Sequence, residues 1–584
     1  MPDMNFNLLK RQPALAFALS AAILLAAALS APSFLIPQRR QAAPTANRAD
    51  AKENRARENR ASNTEARDAS NSAPRDSASD STRTSEPTQT TRQEREADAA
   101  LGRDIERLIE ESEFARARWG ISVVSLRDRR VLYARDSERL LAPASNMKLY
   151  TTAVALDLLG ADHRWRTSVY AQSEPDRSGT LNSNLTLYGR GAPDLSSRSD
   201  STAPINHLAA LAEELYRRGL RRVRGDIVGD ESYFRGEPLG DGWQWNDVQW
   251  YYGAEVSALS IDDNEITLSV AGASRAGEAP QIRLVPETDY VRVRNDMNTV
   301  ERGARSTLGV TRALSANDVR VWGDFPVGAS PYAVRLSVHQ PALRAATLFR
   351  DALRRRGIEV EGHAVVRDAR VPESERFRPE TAVELAFVES RPLAQVVRAV
   401  NKESLNLQAE LLLRTLGKER ANLLPPPADP QRARPRDTDE TALAIVRLWL
   451  GERAGVETDR LALHDGSGLS RLNLVTPQAT TSLLARMSQS PTASLFRDSL
   501  PKAAEDGTLR FRLRQAGADA RRIVAKTGTL TYIDSLSGYA TTADGEPLAF
   551  SIICNEETER ASSFRLIDRI AALLASHSSR KSQP

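Results

Sequence analysis

From Arg39 to Ala100 the chain contains no Leu, Ile, Val, Phe, Met, Tyr or Trp. Such a stretch cannot build a core, because alanine, arginine, serine, threonine and acidic residues bury too little apolar surface to offset the entropy of ordering. Residues 39–100 are therefore expected to form a disordered linker, and the folded part must lie after it. Fully extended, the linker reaches roughly 200 Å. As a relaxed coil it spans about 40–50 Å.

Ahead of the linker, Lys10 and Arg11 precede the 23 uncharged residues "ALAFALSAAILLAAALSAPSFLI", and Arg39 and Arg40 follow them. Residues 1–38 read as an export signal. The small residues before Ala31 would permit cleavage, whereas the apolar length suffices to span a bilayer and favours a retained membrane anchor. Either way the folded part is expected outside the cytoplasm, in the periplasm or cell envelope.

The net charge of +4 is small for 584 residues and gives no argument for nucleic acid. The six histidines are scattered without ligand spacing, so no metal or other cofactor is expected. Cys554 is the single cysteine, which excludes an internal disulfide. Its neighbours in "AFSIICN" place it on a buried strand.

Of 80 basic residues only 8 are lysine, so the places where lysine is kept are informative. Guanidinium stays charged at physiological pH, whereas an ammonium gives up its proton when its surroundings penalise the charge. Lys148 stands in "SNMKLYTTAVALDLLG", three residues after Ser145, where Pro143 precedes a helical run that stops at Gly160. Positions i and i+3 bring the two groups together on one helical face, near the positive end of the helix dipole. A serine hydroxyl needs a base in contact with it. Lysine serves as that base only if its pKa falls toward neutrality, at a cost of about 4 kcal/mol. Taken alone, this spacing is a weak signal that more often marks a helix cap and a surface lysine.

Two later segments change the balance. "LAQVVRAVNKESLNLQAELLLRTLG" reads as a helical stretch whose polar interruption presents Ser404 and Asn406 to one cleft. "RRIVAKTGTL" reads as a strand that carries Lys526, Thr527, Gly528 and Thr529. Its edge can pair with an extended substrate, with Gly528 allowing close approach, and Lys526 with the hydroxyls would hold a carboxylate. "WGISVVSLRDRRVLYARD" and "SLSGYATTADGEPLAFSIICN" read as antiparallel hairpins.

S-x-x-K, S-x-N and K-T-G in this order form the signature of penicillin-interacting serine enzymes. Ser404 follows Ser145 by 259 residues, and "LYGRGAP", "RGDIVGDESYF", "YYGAEVSALSIDDNEITL" and "HDGSGLSRLNLVTP" occur along the chain. With these motifs the sequence resembles the D-alanyl-D-alanine carboxypeptidase/endopeptidase family, the class C low-molecular-mass penicillin-binding proteins, from about Leu101 to Ser576. The resemblance implies an α/β fold. A transpeptidase/serine β-lactamase-like domain, a five-stranded antiparallel sheet flanked by helices, would be built from residues 101–164 and 386–578. A β-rich two-lobed insertion would occupy residues 165–385.

The resemblance also implies roles. Ser145 would attack the carbonyl between two D-alanines, Lys148 would take its proton, and Ser404 would relay a proton to the leaving amine. Asn406 would contact the substrate amide. Lys526 would keep Lys148 neutral and, with Thr527 and Thr529, orient the terminal carboxylate. The backbone N–H groups of Ser145 and Thr529 would form the oxyanion hole. Peptidoglycan stem peptides would be substrates and β-lactams inhibitors, with no cofactor. Family members often carry Gly-Asp-Pro in the insertion for recognition of a diamino acid; here "GRGAPDL" has Ala192 instead, which leaves Asp194 as the candidate.

Other residues are expected to play smaller parts. Lys402 reads either as a surface helix residue or as part of the site, and Asn401 as a helix cap. Asp465, Gly466, Ser467 and Gly468 read as a turn at the cleft rim. The tryptophans of "DGWQWNDVQWYYG" read as packing between domains. Two other readings stay open. A β-lactamase is opposed by the long insertion and by the lack of an obvious deacylating acid; a non-hydrolytic sensor or scaffold is opposed by the retention of every catalytic side chain. The balance of carboxypeptidase and endopeptidase action, and pairing with a second copy, are left open.

Overall fold

The computed structural model describes residues 91–198, 205–426, 437–557 and 562–579. The expected export segment and the linker up to residue 90 lie outside the described residues.

Order begins earlier than Leu101. Helix α1 spans Arg92–Glu110, so its first turns fall inside the stretch expected to be linker. Two local devices support them without large apolar side chains. Thr91 and Glu94 form a reciprocal capping box, with the Thr91 N–H donating to Glu94 Oε2 at 2.8 Å and the Glu94 N–H to Thr91 Oγ1 at 3.2 Å. Asp98 then accepts from Arg130 Nε at 2.8 Å, which ties the helix to the domain. Leu101, Ile105 and Ile109 follow at four-residue intervals and bury the inner face.

Strands β1 (Arg118–Ser125) and β2 (Val131–Arg135) form the expected first hairpin. Helix α2 (Met147–Leu159) follows a single 3₁₀ turn at Ala144–Asn146 and ends at Gly160. After the insertion come α3 (Leu393–Glu403), α4 (Asn406–Glu419) and α5 (Pro477–Met487). Strands β3 (Ile523–Leu530), β4 (Ile533–Thr541) and β5 (Pro547–Asn555), then α6 (Phe564–Ser576), complete the domain.

The five strands make one antiparallel sheet in the order β3-β4-β5-β1-β2. β5 pairs with β1 from Arg118↔Asn555 to Ser125↔Leu548, so the first and last parts of the folded chain meet in the middle of the sheet. Alternation along β5 sends Phe550, Ile552 and Cys554 into the core shared with α1 and α6, and Ala549 and Ile553 into the core shared with α2 and α5. Burying both faces explains its near-continuous apolar run. β3 forms one sheet edge.

The insertion has two lobes. In the first, strands 364–367, 227–230, 185–188, 166–171 and 383–389 form a mixed sheet in that order, with helices His207–Arg217 and Pro341–Arg356. Its apolar core is continuous with that of α2, α4 and α5. The second lobe consists of two three-stranded sheets around Ile266, Leu268, Val319, Val321 and Leu336. The boundary expected at residues 385/386 cuts the strand Val383–Glu389, which pairs with Arg166–Ala171 as the insertion's outer strand. The insertion therefore continues to Glu389. Apolar alternation alone could not show which sheet that strand joins.

Candidate active site

Ser145 lies in the 3₁₀ turn that opens α2, and the sheet holds this turn by its backbone. The Ala142 N–H donates to Asn555 Oδ1 at 2.8 Å, and Asn555 Nδ2 donates back to the Ala142 carbonyl at 3.1 Å. Ser535 Oγ donates to the Pro143 carbonyl at 2.7 Å, and Asn146 Nδ2 donates to Ser537 Oγ at 2.8 Å. A Cβ on Gly528 would stand 2.3 Å from Ser535 Oγ, 2.7 Å from the Pro143 oxygen and 3.0 Å from the Ser145 nitrogen. Only glycine lets β3 run this close to the serine's own amide.

Lys148 is completely buried one turn along α2. Its three ammonium hydrogens face three acceptors: Ser145 Oγ at 3.0 Å, Asn406 Oδ1 at 2.6 Å and the Ser467 carbonyl at 2.6 Å. Burial pushes its pKa down to about 7, against the pull of the Asp465 and Glu410 carboxylates. A lysine that touches a serine hydroxyl and titrates near neutrality has the properties of a general base.

Lys526 enters from β3, also completely buried. It donates to Ser404 Oγ at 2.9 Å and to the Thr527 carbonyl at 2.8 Å. Burial depresses its pKa well below the ordinary lysine value, and the nearby charge of Lys148 depresses it further. Burial is the largest influence lowering both lysines, and the repulsion between the two cations, which they share, disfavours charging both at once.

Ser404 ends α3 in a left-handed conformation (φ 59°), and Leu405 starts the path into α4. This is the polar interruption expected from the sequence. Asn406 opens α4, and its Nδ2 donates to the Tyr252 carbonyl at 2.8 Å. That bond fixes the amide so that Oδ1 faces Lys148, and it brings the insertion directly into the site.

The side that carries Thr527 and Thr529 is more elaborate than expected. Thr527 Oγ1 donates to Thr508 Oγ1 at 2.8 Å, which adds Thr508 to the motif's neighbourhood. Thr529 Oγ1 donates to Asp534 Oδ1 at 2.9 Å, so its hydroxyl hydrogen is engaged within the protein. A carboxylate oriented by that hydroxyl, as expected, would have to displace Asp534 from it.

Lys402 is neither a surface residue nor a site residue. It is buried, with its ammonium donating to the Asp506 carboxylate at 2.6 and 2.7 Å and to the Leu500 carbonyl at 2.6 Å. It thereby pins the turn before Gly507–Leu509, which carries Thr508. Asn401 does not cap a helix; its Nδ2 donates to Thr152 Oγ1 and Ser499 Oγ inside the core.

The 465–468 turn lies under the site instead of at its rim, with all four residues buried. A Cβ on Gly468 (φ 82°) would stand 1.9 Å from the Ala144 carbonyl. Asp465 accepts from the Gly468 N–H at 2.8 Å, the Ser470 N–H at 2.7 Å, Asn473 Nδ2 at 2.6 Å and Trp243 Nε1 at 3.0 Å. Trp243 therefore does join insertion to catalytic domain. Trp250 packs in the second lobe, and Trp245 is 76% exposed.

Asp194 is half engaged: its Oδ2 accepts from both the backbone N–H and Nε of Arg391, at 2.9 and 3.0 Å, while its buried Oδ1 has no hydrogen-bond partner among the described residues, and its side chain is 9% exposed. The amine-recognition role expected for it would therefore compete with Arg391. Another acid is tied to the residue that Asn406 holds: the Asp247 carboxylate accepts from the Tyr252 hydroxyl at 3.3 Å.

Sequence reasoning missed Asn555, Ser535, Thr508, Glu410 and Asp247. Ser535 and Ser537 had left a signal, two hydroxyls on alternate positions of an otherwise apolar strand. The others act across separations that no local pattern displays.

Comparison with known proteins bears on this geometry. Residues 101–577 match the profile of the D-Ala-D-Ala carboxypeptidase 3 (S13) family. The chain is 35% identical over 488 residues to a D-alanyl-D-alanine carboxypeptidase from Actinomadura sp. (strain R39), covering 82% of this chain and 85% of that one. It is 25% identical over 433 residues to D-alanyl-D-alanine carboxypeptidase DacB of Haemophilus influenzae, covering 74% and 84%. The crystal structure of penicillin binding protein 4 (dacB) from Haemophilus influenzae shares the fold with a TM-score of 0.66 at 23% identity, covering 80% of this chain and 97% of that one.

Proposed function

The chain belongs to the D-Ala-D-Ala carboxypeptidase 3 (S13) family, and from that premise we propose that it cleaves D-alanyl bonds of peptidoglycan stem peptides through an acyl-enzyme on Ser145. The observation that carries this reading is the buried Lys148 ammonium, held between Ser145 Oγ, Asn406 Oδ1 and the Ser467 carbonyl. Relatives named as D-alanyl-D-alanine carboxypeptidases support the bond attacked.

Lys148 in its neutral form takes the proton of Ser145 as Oγ bonds to the carbonyl carbon between the D-alanines. The oxyanion accepts from the N–H groups of Ser145 and Thr529, each worth roughly 3 kcal/mol in the transition state. Gly528 supports that pairing, because its missing Cβ is what lets β3 lie against the Ser145 amide. The carbon–nitrogen bond then breaks, and the leaving amine takes its proton from Ser404, whose hydroxyl is replenished from the lysine side. Lys526, Thr527 and Thr508 line the end of the site that receives the terminal carboxylate. Water deprotonated by Lys148 next attacks the ester, releasing the shortened peptide and restoring Ser145.

A β-lactam presents the same carboxylate and carbonyl and acylates the same serine, and its leaving group stays attached, so release is slow. The crystal structure of the Haemophilus influenzae protein complexed with a novel β-lactam is of the same fold. The acids nearest Lys148, Glu410 and Asp465, accept backbone N–H groups beneath the turn, which favours a peptidase over a β-lactamase with a dedicated deacylating carboxylate. The charged run before residue 14 and the apolar run after it favour action outside the cytoplasmic membrane, with the linker as tether.

The test is incubation of the purified full chain and of Ser145→Ala with muropeptides, followed by mass spectrometry. Loss of one alanine from pentapeptides marks carboxypeptidase action; conversion of cross-linked dimers to monomers marks endopeptidase action. A folded wild-type chain that changes neither substrate refutes the proposal.

A further inference from the structure

Two of the acceptors around Lys148 are set by one helix. α4 supplies Asn406 directly at its first position. One turn later, on the same face, it carries Glu410, whose side chain is buried beneath the 466–467 turn. Glu410 Oε1 accepts from the Ser467 N–H at 2.7 Å, and both carboxylate oxygens accept from the Gly466 N–H at 3.1 Å. These N–H groups flank the peptide whose continuation, the Ser467 carbonyl, accepts from Lys148 at 2.6 Å. Thr151 on α2 holds the turn's other side, donating to the Gly466 carbonyl at 2.7 Å. The turn is thus gripped from both helices that bear site residues.

Resting on the peptidase reading of this site, we propose that Glu410 is a positioning residue for the reaction's base: it clamps the Gly466 and Ser467 amides so that the Ser467 carbonyl orients Lys148 toward Ser145, and its carboxylate opposes loss of that lysine's proton. A neutral side chain would suffice merely to cap two amides. A buried carboxylate is the costlier choice, and here it faces a buried ammonium whose charge state decides whether the reaction runs.

The groups around the pair are few. Lys148 is faced by Glu410 and Asp465, which favour its protonated form, and by Lys526, with which it shares repulsion. Burial pushes the Glu410 carboxyl up to about 8 and the Asp465 charge adds to that push, against the Ser467 and Gly466 amides and Arg414 on its own helix, which favour the ionised form. Removing the Glu410 charge therefore leaves Lys148 easier to deprotonate, while removing the second acceptor oxygen loosens the turn.

The experiment compares the full chain with Glu410→Gln and Glu410→Ala, using a D-alanyl-D-alanine pentapeptide. kcat and KM are followed against pH, and folding is checked by thermal denaturation. Glu546→Gln serves as the control. It removes another buried carboxylate, which accepts from Ser125 Oγ at 2.6 Å and from Arg130 at the far end of the β1–β5 pairing from Asn555. For Glu410→Gln we expect kcat to fall by up to about 100-fold with KM nearly unchanged, as for a small misplacement of a reacting group. The acid limb of the kcat/KM profile moves to lower pH, and Glu546→Gln leaves that limb in place.

A folded Glu410→Gln with wild-type kcat and an unmoved limb overturns the inference. So does a loss of activity in Glu410→Gln that matches its loss of stability, with the limb unmoved, since that is what a purely structural carboxylate would give. If the wild-type chain shows no Ser145-dependent turnover, it is the peptidase reading that fails, and the two failures are distinguished by that first measurement.

Discussion

The burial of Lys148 makes a quantitative claim about pH. An ordinary lysine titrating at 10.5 would be neutral in about one molecule in 3,000 at pH 7, whereas one titrating at about 7 is neutral in about half. Between pH 6 and pH 8 its neutral fraction rises from about one-tenth to about nine-tenths. The second-order rate of acylation by a fluorescent penicillin should therefore climb roughly tenfold across that interval, then level off. Lys148→Arg retains a cation but has no usable base form and should not be acylated measurably at any pH in the range. The same displacement has a stability signature. The folded chain releases a proton near pH 7 that the unfolded chain keeps to about 10.5, so the wild type gains stability as pH rises through that window and loses it as pH falls toward 7. The full difference is about 5 kcal/mol at pH 7 and below, and Lys148→Met, which has no charge to bury, should lack this dependence. An acylation rate flat from pH 6 to 8 with its limb above pH 9, or a Lys148→Arg variant labelled at the wild-type rate, would refute the reasoning.

Four further substitutions separate neighbouring roles. Gly468→Ala places a Cβ 1.9 Å from the Ala144 carbonyl at a positive φ and should cost more than about 3 kcal/mol in chemical denaturation while abolishing acylation. Lys402→Met leaves Asp506 unpaired and should destabilise by about 2 kcal/mol, the lower side for a buried pair because Asp506 keeps 30% of its side chain in solvent; unchanged thermal stability would contradict the pairing. Asp194→Asn should leave selectivity between stem peptides with a free and an acetylated side-chain amine unaltered. If Asp247, beside Tyr252, receives the amine instead, Asp247→Asn should lower kcat/KM for the free amine by roughly 10-fold, the worth of a hydrogen bond to a charged group, and the opposite pattern would give the recognition role to Asp194.

Much of the catalytic domain could be read from the chain, because its signals are local. Ser145 and Lys148 share a helical face, Ser404 and Asn406 interrupt a helix, and Lys526 to Thr529 ride on a strand. Each of those arrangements spans a few residues. What escaped reading depends on contacts between distant segments. Asn555 grips Ala142 across 413 positions, and Trp243 reaches Asp465 across 222. Lys402 looked undecided because its partner, Asp506, lies 104 residues away. The start of α1 was misplaced for a different reason: large apolar residues mark a helix that packs, whereas Arg92 to Ala100 is held by capping and by the Asp98–Arg130 bond. Asp194 drew attention through its place beside Pro193, and only the fold reveals that Arg391 occupies it.

The pairing of β1 with β5 orders events during biosynthesis. Ser145 and Lys148 are among the first folded residues to be made, yet the sheet that grips their turn lacks its centre until Asn555 has been added. Joining strands more than 400 residues apart has a large loop-closure entropy, unless the intervening chain has already collapsed into the insertion's own lobes. Lobes that fold first would shorten the effective loop. A chain truncated before β5 still contains Asn406, Ser467 and Ser535, which hold Lys148 and the Ser145 turn, but lacks both Asn555 at Ala142 and the strand that joins β1 to β4, so the site can be complete only once nearly all of the chain has been made.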